Sequence, residues 1–102
     1  MEPKEIYRSL IRLQVLMEAA RRPLDSAALS AKLQDRGFKL GAASVRSVLR
    51  RFEAAGYLTA MPAQTTRGRK VYTLTAAGRR RARDASKRVG QLIETLGLAA
   101  TH

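Results

Sequence analysis

Residues 42–74 read AASVRSVLRRFEAAGYLTAMPAQTTRGRKVYTL. Up to Gly56, Val45, Val48, Leu49 and Phe52 recur at i, i+3, i+4 and i+7, the spacing of one helix face. Beyond it the period changes to two. "YLTAM" (57–61) and "KVYTL" (70–74) alternate apolar and polar residues and favour β structure. Between them "PAQTTRGR" is a polar loop with a glycine and two arginines. The stretch is therefore a helix over 42–56 that ends at a glycine, followed by a hairpin with a basic tip. Pro62 suits the end of an edge strand, where no ladder donor is needed.

Residues 4–21 form a helix. Ile6, Leu10, Leu13, Met17 and Ala20 make one stripe, and Tyr7, Ile11, Val15 and Leu16 widen it past one face. A surface this broad meets two neighbours, its own core and a partner chain. Arg22-Pro23 ends it, because the residue before proline avoids helical geometry. A short helix spans 26–36, capped by Asp25 or Ser26, with Ala28, Leu29 and Leu33 on its buried edge and Gly37 at its end. Thr75 caps a last helix over 76–96, whose seam is Ala82, Ala85, Val89, Leu92, Ile93 and Leu96. Its steps of three and four suit helix pairing.

The order helix, helix, helix, hairpin, helix is that of a winged helix-turn-helix. The expected fold is mainly α with a small β-hairpin: a three-helix core and a two-stranded wing over residues 1–75, then a C-terminal dimerisation helix and tail over 76–102.

The chain has 102 residues, 20 Lys and Arg against 8 Asp and Glu, and a formal net charge of +12. A chain this short buries only about two thirds of its unfolded surface, so its core is modest. The charge points to a polyanionic partner, nucleic acid before an anionic membrane surface. Residues 67–88 carry Lys or Arg at nine positions and one acid, Asp84. Crowded like charges cost stability unless an anion lies near them. A merely solvated face would intersperse acids, as residues 1–22 do.

On the helix 42–56, at about 100° per residue, Ala43, Ser47, Arg50 and Ala54 point away from the core, with Arg46 and Arg51 beside them. An α-helix fits the major groove of B-DNA, which is about 12 Å wide. Small residues at its start, Ala42, Ala43 and Ser44, let the backbone approach. Arg46, Ser47, Arg50 and Arg51 can then donate to base edges or phosphates. At the hairpin, Thr66, Arg67, Gly68, Arg69 and Lys70 are the candidate wing contacts, suited to phosphates or to a narrow minor groove.

"LGAASVRSVLRRFEAAGYL" followed by "RGRKVYTLTAAGRR" resembles the PadR-like winged-helix transcriptional regulators. The family's Leu-Arg-Arg-Leu-Glu-x-x-Gly-Leu stretch corresponds to Leu49, Arg50, Arg51, Phe52, Glu53, Gly56 and Tyr57. Its wing and following helix correspond to Gly68, Arg69, Lys70, Tyr72, Leu74, Thr75 and Gly78. The resemblance covers about residues 6–96. The chain departs from the pattern at Val45-Arg46, where the family usually has Leu-Tyr, and at Leu24, Asp25 and Ser26, where His-Gly-Tyr is common. The resemblance implies a homodimer joined through the last helix with help from the first. The candidate dimer residues are Leu10, Leu13, Met17, Ala85, Val89, Leu92, Ile93 and Leu96.

Other functions have little to stand on. Cysteine is absent and the one histidine is the last residue, His102, which removes thiolate and histidine chemistry and leaves no metal ligand set. There are no paired carboxylates in a plausible pocket, no nucleophile with a base and no phosphate-binding glycine loop. The expectation is a non-enzyme without cofactor. No apolar run approaches the roughly 20 residues that cross a bilayer. Arg8, Arg12 and Glu18 interrupt the first apolar stretch, unlike a signal peptide, so the cytoplasm is the expected location. The leading reading is a sequence-specific regulator of double-stranded DNA, expected to repress. The alternative is a winged-helix module for RNA or a protein partner, disfavoured because Tyr7, Phe38, Phe52, Tyr57 and Tyr72 are few for base stacking. No residue singles out a small-molecule effector.

Overall fold

The computed structural model describes residues 3–62, 70–95 and 97, with side chains from residue 7 onward. The elements run α1 Pro3–Arg21, α2 Ser26–Asp35, α3 Ala42–Ala54, β1 Leu58–Pro62, β2 Lys70–Leu74 and α4 Ala76–Thr95. This is the winged helix-turn-helix order expected above. The core forms where the apolar faces of the first three helices meet the hairpin. Val15, Leu33, Val45 and Leu49 are its fully enclosed side chains, joined by Ile11, Leu16, Leu29, Phe52, Leu58 and Tyr72.

β1 and β2 pair antiparallel, with Leu58 opposite Leu74, Ala60 opposite Tyr72 and Pro62 opposite Lys70. Leu24, in the connection between α1 and α2, adds a bridge on the other side of β2. Its N–H donates to the Tyr72 carbonyl at 2.8 Å and its carbonyl accepts from the Tyr72 N–H at 2.9 Å. The wing is thereby tied to the helical core on the edge that β1 leaves open.

α2 and α3 both close on a glycine. Gly37 and Gly56 have φ of 92° and 85°, a region that costs glycine little. After α3 the Tyr57 N–H donates to the Phe52 carbonyl and the Gly56 N–H to the Glu53 carbonyl, a Schellman arrangement. The Phe52 and Tyr57 rings meet at 6.2 Å, the apolar contact that accompanies it. α2 ends the same way, with Phe38 donating to the Leu33 carbonyl and Gly37 to the Gln34 carbonyl. Tyr57 is thus committed to the helix end. That is why the strand expected from residue 57 starts at Leu58, and the helix expected to reach 56 stops at Ala54.

The buried edge of α2 also differs from expectation. Ala28 is exposed, and Ser30 is buried beside Leu29 and Leu33. At about 100° per residue Leu29, Leu33 and Ser30 share one arc, and Ala28 falls outside it. Serine is tolerated because its hydroxyl donates to the Leu40 carbonyl at 2.9 Å. At the front of α2, Asp25 caps the helix. Its Oδ1 accepts from the Ala27 and Ala28 N–H groups at 2.8 and 3.1 Å.

α4 is set by a latch that joins three elements. The Thr75 N–H donates to the Tyr57 carbonyl at 3.0 Å. The Thr75 hydroxyl donates to the Gly56 carbonyl at 2.6 Å and accepts from the Gly78 N–H at 3.0 Å. Gly78 is buried, and a Cβ there would run into the Tyr57 carbonyl and the Leu74 side chain. Glycine at 78 is a packing requirement.

Glu18 is the unexpected core residue. It breaks the apolar stripe of α1 and is nevertheless 2% exposed. Its carboxylate accepts from Arg36 Nη2 at 2.8 Å and Lys32 Nζ at 3.0 Å, with Arg21 at 3.9 Å. Arg36 also donates to Gln14 at 2.7 Å. Burial by itself would raise the carboxyl pKa. The hydrogen bonds and charges of Arg36 and Lys32 outweigh that effect, so the pKa lies below its ordinary value of 4.5.

Two consequences can be measured. Gly78→Ala forces the Tyr57 backbone or the α4 start to move, at a cost of about 2–3 kcal/mol. The thermal midpoint followed by circular dichroism should fall by roughly 10 °C or more. For Glu18, a depressed folded pKa means the stabilisation is fully present above pH 4.5 and lost as the pH falls through the folded pKa. Urea midpoints should show Glu18→Gln less stable than wild type at neutral pH, by about 1–2 kcal/mol since Lys32 and Arg36 stay partly solvated. That gap should narrow steadily below pH 4.5.

Candidate nucleic-acid interface

α3 presents one face to the core and the other to solvent. Val45, Leu49 and Phe52 are buried, whereas Ala43, Ser44, Arg46, Ser47, Arg50 and Arg51 are exposed. Val48 is half-buried at the boundary. The helix begins after Gly41, and among the described residues no side-chain hydrogen bond caps its first N–H groups. Phe38 and Leu40, in the connection from α2, pack on the core. Tyr7 holds that connection from α1: its ring lies 5.4 Å from Phe38 and its hydroxyl accepts from the Lys39 N–H at 2.9 Å. The small-residue start of α3 is thus held outward by a turn anchored at both ends.

The exposed residues of α3 divide between two concave flanks. On the wing side, Arg46 and Arg50 share a cleft with Lys70 and Tyr72 of β2 and with Asp25 and Ser26 at the start of α2. The base of the wing and the cationic edge of α3 therefore lie on one side of the molecule. On the other side, Ser44, Ser47 and Arg51 share a cleft with Arg8 and Arg12 of α1. Sequence reasoning missed Asp25, Ser26, Arg8 and Arg12 as members of this surface. The arginines had a signal: at about 100° per residue they fall in the same arc of α1 as Ile11 and Val15, which makes them neighbours of α3. Nothing local marked the start of α2, which reaches α3 only through tertiary packing.

The charge is unevenly compensated. Among the described residues the ion pairs all converge on Glu18. Arg46, Arg50, Arg51 and Lys70 take part in none of them. Asp25 is the acid at the wing-side cleft, and its Oδ1 is engaged by the α2 backbone. Tyr72 and Phe52 are buried, and Tyr7 and Phe38 pack on one another. The described rings thus form no open stacking platform.

Of the expected wing contacts, Lys70 lies exposed at the start of β2, and Thr66, Arg67, Gly68 and Arg69 lie outside the described residues. Of the expected dimer residues, Leu10, Met17, Leu92 and Ile93 are exposed by 45, 40, 55 and 37%. Leu13, Ala85 and Val89 are half-buried, and Leu96 lies outside the described residues. No helix among the described residues is long and apolar enough to cross a membrane.

The model of the transcriptional regulator PadR-like family matches residues 13–84. Among solved structures, a PadR family transcriptional regulator from Eggerthella lenta is 27% identical, with a TM-score of 0.76, over 95% of this chain and 87% of that one. A PadR-like transcriptional regulator from Bacillus cereus superposes with a TM-score of 0.78 at 18% identity, over 96% of this chain and 98% of that one. The transcriptional regulator BldR from Sulfolobus solfataricus gives 0.76 at 14% identity. There the alignment covers 86% of this chain but 60% of BldR, so the chain spans less than two thirds of that protein. No curated protein sequence matches this chain.

Proposed function

Because the chain belongs to the PadR-like family of transcriptional regulators, DNA-binding proteins that are not enzymes, we propose that it acts in the cytoplasm as a homodimeric, sequence-specific repressor with α3 in the major groove and the wing on the flanking backbone. The observation that carries this reading is the shared cleft of Arg46, Arg50 and Lys70. A helix seated in a groove meets base edges with its outermost residues and phosphates with its flanks. Ala43, Ser47 and Arg50 have the outermost positions. Ala43 permits close approach, Ser47 donates to a base or phosphate, and Arg50 can donate two parallel hydrogen bonds to guanine. Ser44 and the open N-terminus of α3 suit a phosphate. Arg46, Arg51 and Lys70 supply charge to the rims, and Thr66, Arg67, Gly68 and Arg69 extend the wing along the backbone or into the minor groove. Among the described rings Tyr7 alone is exposed, and it packs against Phe38, which supports duplex over single-strand recognition.

Dimerisation is supported by the apolar surface. α4 packs along α1, and Leu10, Met17, Leu92 and Ile93 leave large side chains in solvent on these two helices. Exposed apolar groups on adjacent elements are typical of an association surface. A two-fold pairing through α4, with α1 beside it, would cover them and set the two copies of α3 about one helical turn of DNA apart. Occupying a promoter in this way blocks it to other proteins, which is repression by exclusion.

Anisotropy titrations on operator fragments selected from genomic DNA test the contact map. Affinity should fall steeply with salt. Arg50→Ala should lose about 1–3 kcal/mol and relax discrimination at one position, whereas Lys70→Ala should weaken all sequences alike and reduce the salt slope by about one. Equal behaviour of the two variants would refute the division of roles. For the interface, Leu92→Asp adds a charge at a position that is solvated in the single chain, so the fold persists while association would bury that charge unpaired. Sedimentation equilibrium should show the mass halved.

A further inference from the structure

The contacts proposed above leave the cations of α4 unused. Arg79, Arg80, Arg81, Arg83, Lys87 and Arg88 are all exposed. None of them joins an ion pair among the described residues, although Asp84 lies three or four positions from Arg80, Arg81, Lys87 and Arg88. At about 100° per residue, Gly78, Ala82, Ala85 and Val89 share one face of α4. Gly78 and Ala82 are buried there and the other two half-buried, where the helix packs on α1 and β2. Arg80, Arg83 and Lys87 fall within about 60° of one another on the opposite face, along roughly 10 Å of helix axis. Leu92 and Ile93 lie on the packed side, so pairing through the proposed seam leaves the cationic stripe uncovered. Neither cleft beside α3 includes an α4 residue. A duplex seated on α3 is therefore flanked by α1, the start of α2 and the wing, and the stripe stays free.

We infer that Arg80, Arg83 and Lys87 form a second, sequence-independent surface for duplex DNA, so that a molecule seated on its operator through α3 captures another DNA segment through α4. The chemistry of the stripe selects this occupant. A membrane-bound helix inserts a large apolar face, and a protein interface has an apolar centre. The apolar residues of α4 larger than alanine, Val89, Leu92 and Ile93, all lie towards the other face. Single strands stack on aromatic rings, and α4 contains none. A small anion needs donors that converge, whereas these are strung along the axis. A duplex presents a matching line of charge, one phosphate per about 1.7 Å. Capture of a second segment rests on the reading of α3 as the operator contact; the binding of duplex by the stripe does not.

The test uses the full chain, an immobilised operator saturated with protein, and a fluorescent duplex of unrelated sequence. Wild type on the operator should retain the fluorescent duplex. Arg80→Gln/Arg83→Gln/Lys87→Gln removes three exposed charges and keeps good helix formers. It should retain at least tenfold less, with operator affinity changed less than threefold and an unchanged thermal midpoint. No retention by wild type, or undiminished retention by the triple variant, would overturn the proposal. Operator affinity that falls in step with retention would place the stripe on the same duplex as α3 and overturn the second segment. Phosphatidylglycerol vesicles or poly-glutamate bound more tightly than the unrelated duplex at equal salt would overturn the assignment to DNA. The stripe is also read without the operator, in the Arg50→Ala/Lys70→Ala background. There the triple change should weaken the unrelated duplex at least fivefold by anisotropy, and equal affinity would refute the stripe as a DNA surface. A wild-type chain that binds no operator would sink the regulator reading and the capture with it, and leave this last comparison standing.

Discussion

The approach of α4 to the Tyr57 carbonyl is the constraint on which the arrangement depends. Thr75 and Gly78 act on the two residues that follow α3: the Thr75 hydroxyl reaches Gly56, its N–H reaches Tyr57, and Gly78 leaves room for that carbonyl. One small patch of backbone thus fixes the end of α3, the start of β1 and the direction of α4. α3 carries the proposed base contacts, the hairpin carries the wing, and α4 carries most of the proposed association seam. A change in the angle at this patch would alter all three relations together. This gives a physical reason for a glycine three residues after a threonine at the junction of wing and helix, a pattern that sequence reading could match but not explain.

The electrostatics divide the molecule in two. Between α1 and α2, Glu18 draws Arg36, Lys32 and Arg21 into one network, buried at its centre and solvated at its rim. That arrangement ties α1 to α2, because a buried carboxylate holds its partners firmly once they compensate for its lost hydration. Arg46, Arg50, Arg51 and Lys70, around α3, have no such partner among the described residues. Eight acids cannot neutralise 20 cations. What matters is where they are placed, and one acid that could have moderated the surface near α3 is instead enclosed in the core.

Much of this was legible in the chain. The change of period at Gly56, the outward face of α3, the hairpin and the two-sided stripe of α1 follow from local spacing, and local spacing decides local structure. The illegible parts depend on tertiary contacts. Glu18 looked like an interruption of an apolar helix, because its partners Lys32 and Arg36 lie 14 and 18 residues away. Ser30 was passed over for Ala28 because only the Leu40 carbonyl makes a buried serine acceptable. Arg8 and Arg12 read as solvated charges until α3 was placed beside them. Leu24 was noticed only as a departure from the family pattern, and its role as a strand partner depends on Tyr72 lying alongside.

The proposed association and the proposed DNA binding reinforce each other through a common deficit. A domain of this size buries a limited core, and this one leaves Leu10, Met17, Leu92 and Ile93 in water and, among the described residues, keeps Arg46, Arg50, Arg51 and Lys70 outside every ion pair. A second copy relieves the first strain and a polyanion the second. Anything that binds the folded form alone stabilises it by mass action. Two copies joined through α4 also present two cationic faces at a fixed separation, so engagement of the first half-site raises the effective concentration of the second α3.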